Sequence, residues 1–162
     1  MTNVNLEIER KFLANSLPDD LDRDGGIKIC QGYIAFEGST EVRVRSYGDQ
    51  FFLTVKEGSG LTRREYEHEL ETTEFEAFWS FTAGKRLEKV RYLVPYGELT
   101  IEFDIYQGDL APLLVAEVEF ASEEESVKFV IPSFLGEEIT THTAYKNRKL
   151  AIHGLQDDKK DS

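Results

Sequence analysis

Carboxylates and an ammonium group alternate near the start of the chain, in the run Glu7-Ile8-Glu9-Arg10-Lys11. Residues two apart in a β-strand share a face, so Glu7, Glu9 and Lys11 would project on one side of a strand. Carboxylates bind hard cations, and an ammonium group binds anions. One such strand is usually a solvated edge, so the pattern indicates a site only if later strands repeat it.

The same alternation recurs along the chain, each time with an apolar opposite face. Its cations are Arg43, Arg45, Lys56, Lys89 and Arg91, and its carboxylates are Glu102, Asp104, Glu117 and Glu119. Buried charges are costly unless they pair or bind ions and ligands. We therefore predict a mainly β protein whose strands close into a barrel with the charged face inward and helices packed outside. Glu65 and Glu67 either face this interior or form ion pairs.

Three helices are predicted around the strands. The first begins at Thr72-Thr73-Glu74 with a hydroxyl cap and ends at Gly84, and its aromatic stripe, which includes Phe81, packs as core. The second begins after Ser122, and the third spans residues 141–153.

The composition indicates a single domain over residues 1–155 and a short charged tail over 156–162. A net charge of −12 argues against a nucleic-acid-binding surface. The one cysteine, Cys30, excludes an internal disulfide framework and fits a reducing compartment. No apolar run is long enough for a membrane span, so we expect a cytoplasmic protein without a membrane partner. Monomer and homodimer both remain open.

The alternating charges suit phosphoryl transfer. Six cations, Lys11 and the five named above, match a multiply charged phosphate chain, for which arginine supplies a bidentate fork and lysine a point charge. The acids are hard oxygen ligands without nearby thiolate or clustered imidazole, which favours Mg²⁺ or Mn²⁺ over zinc. Metal and cations around a phosphate chain are the usual apparatus of phosphoryl transfer.

The motifs together resemble the CYTH superfamily, the triphosphate tunnel metalloenzymes. In chain order they are Glu7-Ile8-Glu9-Arg10-Lys11, matching E-x-E-x-K, then Arg43-Val44-Arg45, Lys56, Lys89-Val90-Arg91, Glu102-Phe103-Asp104 and Glu117-Val118-Glu119. Gln31-Gly32-Tyr33-Ile34 is similar to the Q-G-Y segment of the short bacterial inorganic triphosphatases. The resemblance implies a closed eight-stranded antiparallel tunnel that binds triphosphate and a divalent metal.

The resemblance also implies residue roles. Lys11 and Tyr33 pair and would position or activate water, with Lys11 acting either as a general base or electrostatically. Triphosphate would be bound by Lys11, Arg43, Arg45, Lys56, Lys89 and Arg91, and Mg²⁺ or Mn²⁺ by Glu7, Glu9, Asp104, Glu117 and Glu119. Relatives often carry basic residues where this chain has Thr143-Ala144. Lys146 or Arg148 would have to substitute for them.

The expected activity is metal-dependent hydrolysis of inorganic triphosphate, a small-molecule substrate, to pyrophosphate and phosphate. Three alternatives use the same tunnel differently. A class IV adenylate cyclase would let the ribose hydroxyl attack, and a nucleoside or thiamine triphosphatase would hydrolyse an organic substrate. A non-catalytic polyphosphate-binding module would bind without turnover, although it has no need for this many carboxylates.

Overall fold

One continuous antiparallel sheet forms the body of the protein in the computed structural model, which describes residues 4–155. Its strands are β1 (Asn5–Ala14), β2 (Ile27–Glu37), β3 (Thr40–Tyr47), β4 (Gln50–Glu57), β5 (Thr62–Leu70), β6 (Arg86–Tyr96), β7 (Leu99–Tyr106), β8 (Leu114–Phe120) and β9 (Leu135–Glu138). The helices are α1 (Thr72–Trp79), α2 (Glu123–Lys128) and α3 (Asn147–His153). The predicted tail, residues 156–162, lies outside the described residues.

Strand β1 closes the sheet into a barrel. The strands follow the order β5-β4-β3-β2-β6-β7-β8-β1, and β1 also pairs with β5 over residues Asn5 to Ile8. The predicted closed eight-stranded antiparallel barrel is therefore confirmed. The unpredicted strand β9 pairs with the same edge of β1 further along, at Phe12 and Ala14. Its four residues are too few to show a periodic pattern in the sequence.

The larger apolar core lies on the outside of the barrel. Its buried members are Phe12, Tyr92, Ile101, Phe103, Ala116, Val118, Phe120 and Leu135. Phe129, which follows α2, packs on this core, with its ring centroid 5.4 Å from that of Phe120. Because the alternating apolar residues point outward into this layer, the charged residues between them point into the barrel.

A smaller apolar cluster closes off one end of the barrel interior. It comprises Leu87, Tyr106, Leu110, Val115, Ile139 and Leu150, all at most 6% exposed. Leu87, Tyr106 and Val115 lie on β6, β7 and β8 at the same parity as the inward charges, so the lining changes from charged to apolar towards α3.

The helix boundaries differ from the sequence predictions at two helices. The N-cap of α1 is Glu71 rather than a threonine, because Glu71 and Glu74 form a reciprocal capping box with each other's backbone N–H groups. The helix ends at Trp79 instead of Gly84, which leaves Phe81 69% exposed and outside the core. Helix α3 is also shorter than predicted, since residues 143–145 form a 3-10 turn before it.

Helix α2 begins as predicted. The hydroxyl of Ser122 caps it by accepting a hydrogen bond from the backbone N–H of Glu125. In residues 4–155, no helix is both long and apolar enough to span a bilayer.

Gly32 provides a test of how closely β2 approaches the segment after α1. A Cβ on Gly32 would lie 2.6 Å from the Cβ of the fully buried Thr82. We expect Gly32→Ala to lower the free energy of unfolding by about 1–3 kcal/mol through overpacking, measured by urea denaturation. Gly25→Ala is the matched control, because its Cβ would meet nothing nearer than Asp22 Oδ2 at 3.7 Å. Wild-type stability in Gly32→Ala would contradict this packing.

Candidate active site

The barrel encloses a cavity of about 290 Å³ lined almost entirely by charged and polar side chains. Every residue in the sequence-predicted site lines it except Asp104, which is fully buried beneath it. The cavity also contains side chains outside the predicted set, among them Gln31, Glu41, Arg63 and Lys146. Alternation along the strands therefore brings the predicted residues together in one enclosed space.

Asp104 holds two cations at the buried end of this cavity. Its Oδ1 accepts a hydrogen bond from Arg91 Nε at 2.8 Å, and its Oδ2 accepts one from Arg91 Nη2 at 2.9 Å. Lys89 Nζ lies 2.7 Å from the same Oδ2. Burial alone would raise the pKa of Asp104, but the charges of Lys89 and Arg91 outweigh it and hold this pKa well below its ordinary value. Both carboxylate oxygens are thus already occupied by protein cations.

The pKa of Lys89 is lowered as well, and for a lysine a lower pKa favours the neutral form. Its side chain is almost completely buried, and this burial lowers the pKa of Lys89 to about 8 despite the opposing charge of Asp104. The ammonium is therefore the more easily deprotonated of the two cations that Asp104 holds.

A second cluster joins Lys56 to two glutamates. Lys56 Nζ lies 3.0 Å from Glu7 Oε2 and donates a hydrogen bond to Glu7 Oε1 at 3.1 Å. Glu65 Oε2 is 3.8 Å from the same ammonium. Burial and then the hydrogen bond with Glu7 raise the pKa of Glu65 to about 7. Burial opposes ionisation of Glu7, but Glu65 and Lys56 lower its pKa.

Glu9 lies among carboxylates that crowd each other. Burial and then the charge of Glu117 raise the pKa of Glu9 well above its ordinary value. Glu119 faces Glu9 directly across the β1–β8 pair, and burial and the charge of Glu7 raise the pKa of Glu119 as well. Crowded carboxylates with raised pKa values favour a bound cation, which would neutralise them.

The donor chemistry of these acids fits a divalent metal, although they are not gathered around one point. Glu7 Oε2 is buried and contacts Lys56 Nζ at 3.0 Å, but it accepts no hydrogen bond in the described part of the chain. Within residues 4–155, no three His, Cys, Asp or Glu side chains are arranged so that they could hold a metal ion. Side-chain rotation would have to bring the glutamate oxygens together for the hard-ligand geometry that Mg²⁺ and Mn²⁺ prefer.

Three arginines on β3 and β5 also line the cavity. Arg43 is buried, and among residues 4–155 no carboxylate lies within 4.0 Å of its guanidinium. Arg45 pairs with Glu67 at 3.3 Å and Arg63 with Glu41 at 3.2 Å. The Nε atoms of all three arginines are buried without a hydrogen-bond partner among the described residues. These arginines therefore present donors to an anion.

Arg63 was missing from the predicted set although the sequence carries a signal for it. It stands two positions before Glu65 on β5 and therefore shares the inward face of that strand. Glu65 and Glu67 do face the interior, and Glu67 forms the ion pair with Arg45 that was the alternative interpretation.

Tyr33 and Lys11 both line the cavity but have different partners. The Tyr33 hydroxyl accepts a hydrogen bond from Gln31 Nε2 at 2.8 Å, and burial raises the pKa of Tyr33 to about 12, so it keeps its proton at neutral pH. Lys11 Nζ donates to the Tyr145 carbonyl oxygen at 2.7 Å and lies 3.9 Å from Glu117. No hydrogen bond joins Lys11 to Tyr33 among the described residues.

The segment before α3 completes the cavity wall. Of the two basic residues expected to compensate for Thr143-Ala144, Lys146 lines the cavity. Arg148 instead donates from Nη1 to the Gly38 carbonyl oxygen at 2.8 Å, on the hairpin between β2 and β3. Burial and then the charge of Arg148 lower the pKa of Lys146.

No family model matches the chain. It is 42% identical to an inorganic triphosphatase of Nitrosomonas europaea over 149 residues, which cover 90% of this chain and 97% of the relative. An inorganic triphosphatase of Acetivibrio thermocellus is 34% identical over 148 residues, with 89% and 92% covered.

Among solved structures, the crystal structure of the inorganic triphosphatase NE1496 superposes with a TM-score of 0.66 and 39% sequence identity, covering 90% of this chain and 94% of that chain. The two sequence relatives and this structure each cover about nine tenths of the chain. The chain thus belongs to the inorganic triphosphatases of the CYTH superfamily, the triphosphate tunnel metalloenzymes.

Proposed function

We propose that this protein hydrolyses inorganic triphosphate to pyrophosphate and phosphate inside its barrel, with Mg²⁺ or Mn²⁺ as cofactor. The observation that carries the proposal is Arg43, a buried guanidinium without a carboxylate partner in the described residues. Its Nε–H is buried without a hydrogen-bond partner among the described residues, and an anionic ligand would satisfy this donor. The two relatives named inorganic triphosphatase support triphosphate as this anion.

The size of the cavity supports a small substrate. Ligand sites in proteins commonly have volumes of about 300–1,000 Å³, and this cavity, at about 290 Å³, is at the lower limit. Its lining is charged rather than apolar, which suits an inorganic polyanion better than a nucleoside or another organic group.

In the proposed reaction, water attacks the terminal phosphorus in line. A new P–O bond forms, the bridging P–O bond breaks, and a proton of the attacking water passes to an oxygen of the released phosphate, while pyrophosphate leaves with its oxygens still bound by cations. Arg43, Arg45 and Arg63 bind the phosphate oxygens with guanidinium forks that suit them. Fixed charges of this kind stabilise the transition state because they need no reorganisation during the reaction.

Lys11 and Tyr33 act on the water and the substrate. The Tyr145 carbonyl accepts a hydrogen bond from the Lys11 ammonium, which favours an electrostatic role for Lys11 over that of a general base. Tyr33 keeps its proton and can donate it in a hydrogen bond that orients the water or a phosphate oxygen.

Glu7, Glu9, Glu117 and Glu119 are the proposed metal ligands. When bound, the metal would supply positive charge to the phosphate oxygens and hold the chain in position. Asp104, which belonged to the predicted metal set, is assigned here to orienting Lys89 and Arg91, because these two cations occupy both its oxygens. We also propose a cytoplasmic location, supported by the single cysteine of the chain.

A phosphate-release panel tests the proposal. We expect turnover of triphosphate with Mg²⁺ or Mn²⁺, loss of turnover with a chelator, and much slower release from ATP and thiamine triphosphate. Nucleotide products should be identified in the ATP reaction, because formation of cyclic AMP would indicate a cyclase. Tight binding of triphosphate without turnover would support a binding module and contradict hydrolysis.

Arg43→Met tests the role of Arg43 in binding the substrate. Because the charges of Glu41 and Glu65 favour the Arg43 cation, the folding of this variant is checked first by its melting temperature. We expect kcat/KM for triphosphate to fall by about 10²–10³. Arg64→Met is the matched control, because Arg64 is an exposed arginine with only a surface ion pair to Glu57. Unchanged kcat/KM in Arg43→Met would remove Arg43 from the substrate site.

Glu9→Gln tests the metal assignment. An amide is a weaker ligand than a carboxylate, and even outer partners of metal sites contribute about 10–100-fold to affinity. We expect the Mg²⁺ or Mn²⁺ concentration for half-maximal activity to rise at least about tenfold, with titration calorimetry as a direct measure of metal binding. Glu88→Gln, on the exposed outer face of β6, should match wild type. Equal metal dependence in the two variants would contradict this role of Glu9.

A further inference from the structure

Gln31 is a buried amide in the cavity wall that has no assigned part in the proposed reaction. It lies on β2 two positions before Tyr33, so the two side chains share the inward face of that strand. Gln31 is fully buried and lines the cavity, and its Oε1 has no hydrogen-bond partner among residues 4–155. A buried acceptor without a partner is destabilising. Stability therefore does not explain an amide at this position.

The nitrogen of the same amide makes a hydrogen bond whose direction is fixed. Gln31 Nε2 donates to the Tyr33 hydroxyl oxygen at 2.8 Å. An amide nitrogen can only donate, so the Tyr33 oxygen is the acceptor in this bond. The Tyr33 proton is therefore not used by Gln31 and is available for another acceptor.

The neighbouring strand offers the Tyr33 proton no acceptor. Arg43 lies opposite Tyr33 across the β2–β3 pair, where its charge acts on the Tyr33 hydroxyl, and Arg45 lies opposite Gln31. Guanidinium groups have no acceptor atoms, so neither arginine can take the proton. Among the described residues, no atom accepts a hydrogen bond from the Tyr33 hydroxyl.

The Tyr33 proton is thus left for a group inside the cavity, which Tyr33 lines. Burial raises the pKa of Tyr33 to about 12, so the hydroxyl is a donor at neutral pH. A donor that is already held in the correct direction stabilises charge on a reacting phosphate without reorganisation. A phosphate oxygen suits this donor better than the attacking water, because a hydrogen bond to the water oxygen would make it a weaker nucleophile.

We propose that Gln31 is a positioning residue that keeps the Tyr33 oxygen as an acceptor. The Tyr33 proton then points into the cavity and is donated to an oxygen of the phosphate under attack. This inference rests on the proposed hydrolysis of triphosphate. It also accounts for the unpaired Oε1 of Gln31, because turning the amide over would pair Oε1 with the Tyr33 proton and withdraw that proton from the substrate.

Gln31→Glu tests the direction of the hydrogen bond. A carboxylate of nearly the same size can only accept, so the Tyr33 proton should turn towards it and away from the substrate. We expect kcat for triphosphate with Mg²⁺ to fall about 10²-fold, measured by phosphate release. A wild-type kcat in this variant would overturn the proposal.

Gln31→Met removes the amide without adding a charge. The Tyr33 hydroxyl is then free to rotate, and we expect kcat to fall about tenfold, which is the net value of one hydrogen bond, with KM close to that of wild type. Gln107→Met is the matched control. Gln107 also donates one hydrogen bond from Nε2, to the Ile105 carbonyl oxygen at 3.2 Å, but it is exposed and does not line the cavity. Equal kcat in the two variants would contradict a role for Gln31.

Tyr33→Phe shows whether Gln31 acts through Tyr33. Without a hydroxyl to direct, Gln31→Glu should cause no further loss of kcat in the Tyr33→Phe background. If the new carboxylate acted only through its charge or its packing, it would lower kcat by the same factor with and without the hydroxyl. That result would assign Gln31 a structural role and overturn the proposal.

Raman spectroscopy tests the arrangement without any substrate. The intensity ratio of the tyrosine Fermi doublet distinguishes a hydroxyl that mainly accepts hydrogen bonds from one that mainly donates them, and subtracting the spectrum of the matching Tyr33→Phe variant isolates Tyr33. We expect the ratio to shift towards the donor value in Gln31→Glu, and an unchanged ratio would overturn the proposal. Because this measurement needs no turnover, it tests Gln31 even if wild type does not hydrolyse triphosphate, a result that would refute the proposed function alone.

Discussion

The structure depends on neutralising charge inside a closed barrel. The pairing of Asp104 with Lys89 and Arg91 shows this constraint most directly, because all three groups are almost fully buried and Asp104 accepts hydrogen bonds at both oxygens. Breaking a buried pair leaves an uncompensated charge and is strongly destabilising. The apolar core therefore has to lie outside the barrel, where it covers the outward faces of β1, β6, β7 and β8.

The buried charges of the cavity are not fully neutralised in two places, and these two places determine what the site can bind. The glutamates around Glu9 repel one another, while Arg43 has no carboxylate within 4.0 Å and a buried Nε without a hydrogen-bond partner in the described residues. The first imbalance favours a divalent metal, and the second favours an anion. A metal-bound triphosphate, the proposed form of the substrate, would satisfy both.

The charged interior was predictable from the sequence because strand parity alone assigns each residue to a face. The alternation at Lys89 and Arg91 or at Glu117 and Glu119 needs no knowledge of the partner strand. The sequestration of Asp104 was not predictable, because it depends on the register that sets Asp104 opposite Arg91 across β6 and β7. The N-cap at Glu71 and the strand β9 were not predicted, because the sequence patterns that indicate them are only a few residues long.

The position of β1 has a consequence for how the protein is made. Its partners β8 and β9 come from the far end of the chain, and Arg10 bonds to Glu138, 128 positions later. Contacts of such long sequence separation form slowly because the intervening chain must first be ordered. During synthesis on the ribosome, β1 must wait until β8 and β9 have been made, so the site that contains Glu7, Glu9 and Lys11 is assembled only after the chain has been translated past Glu138.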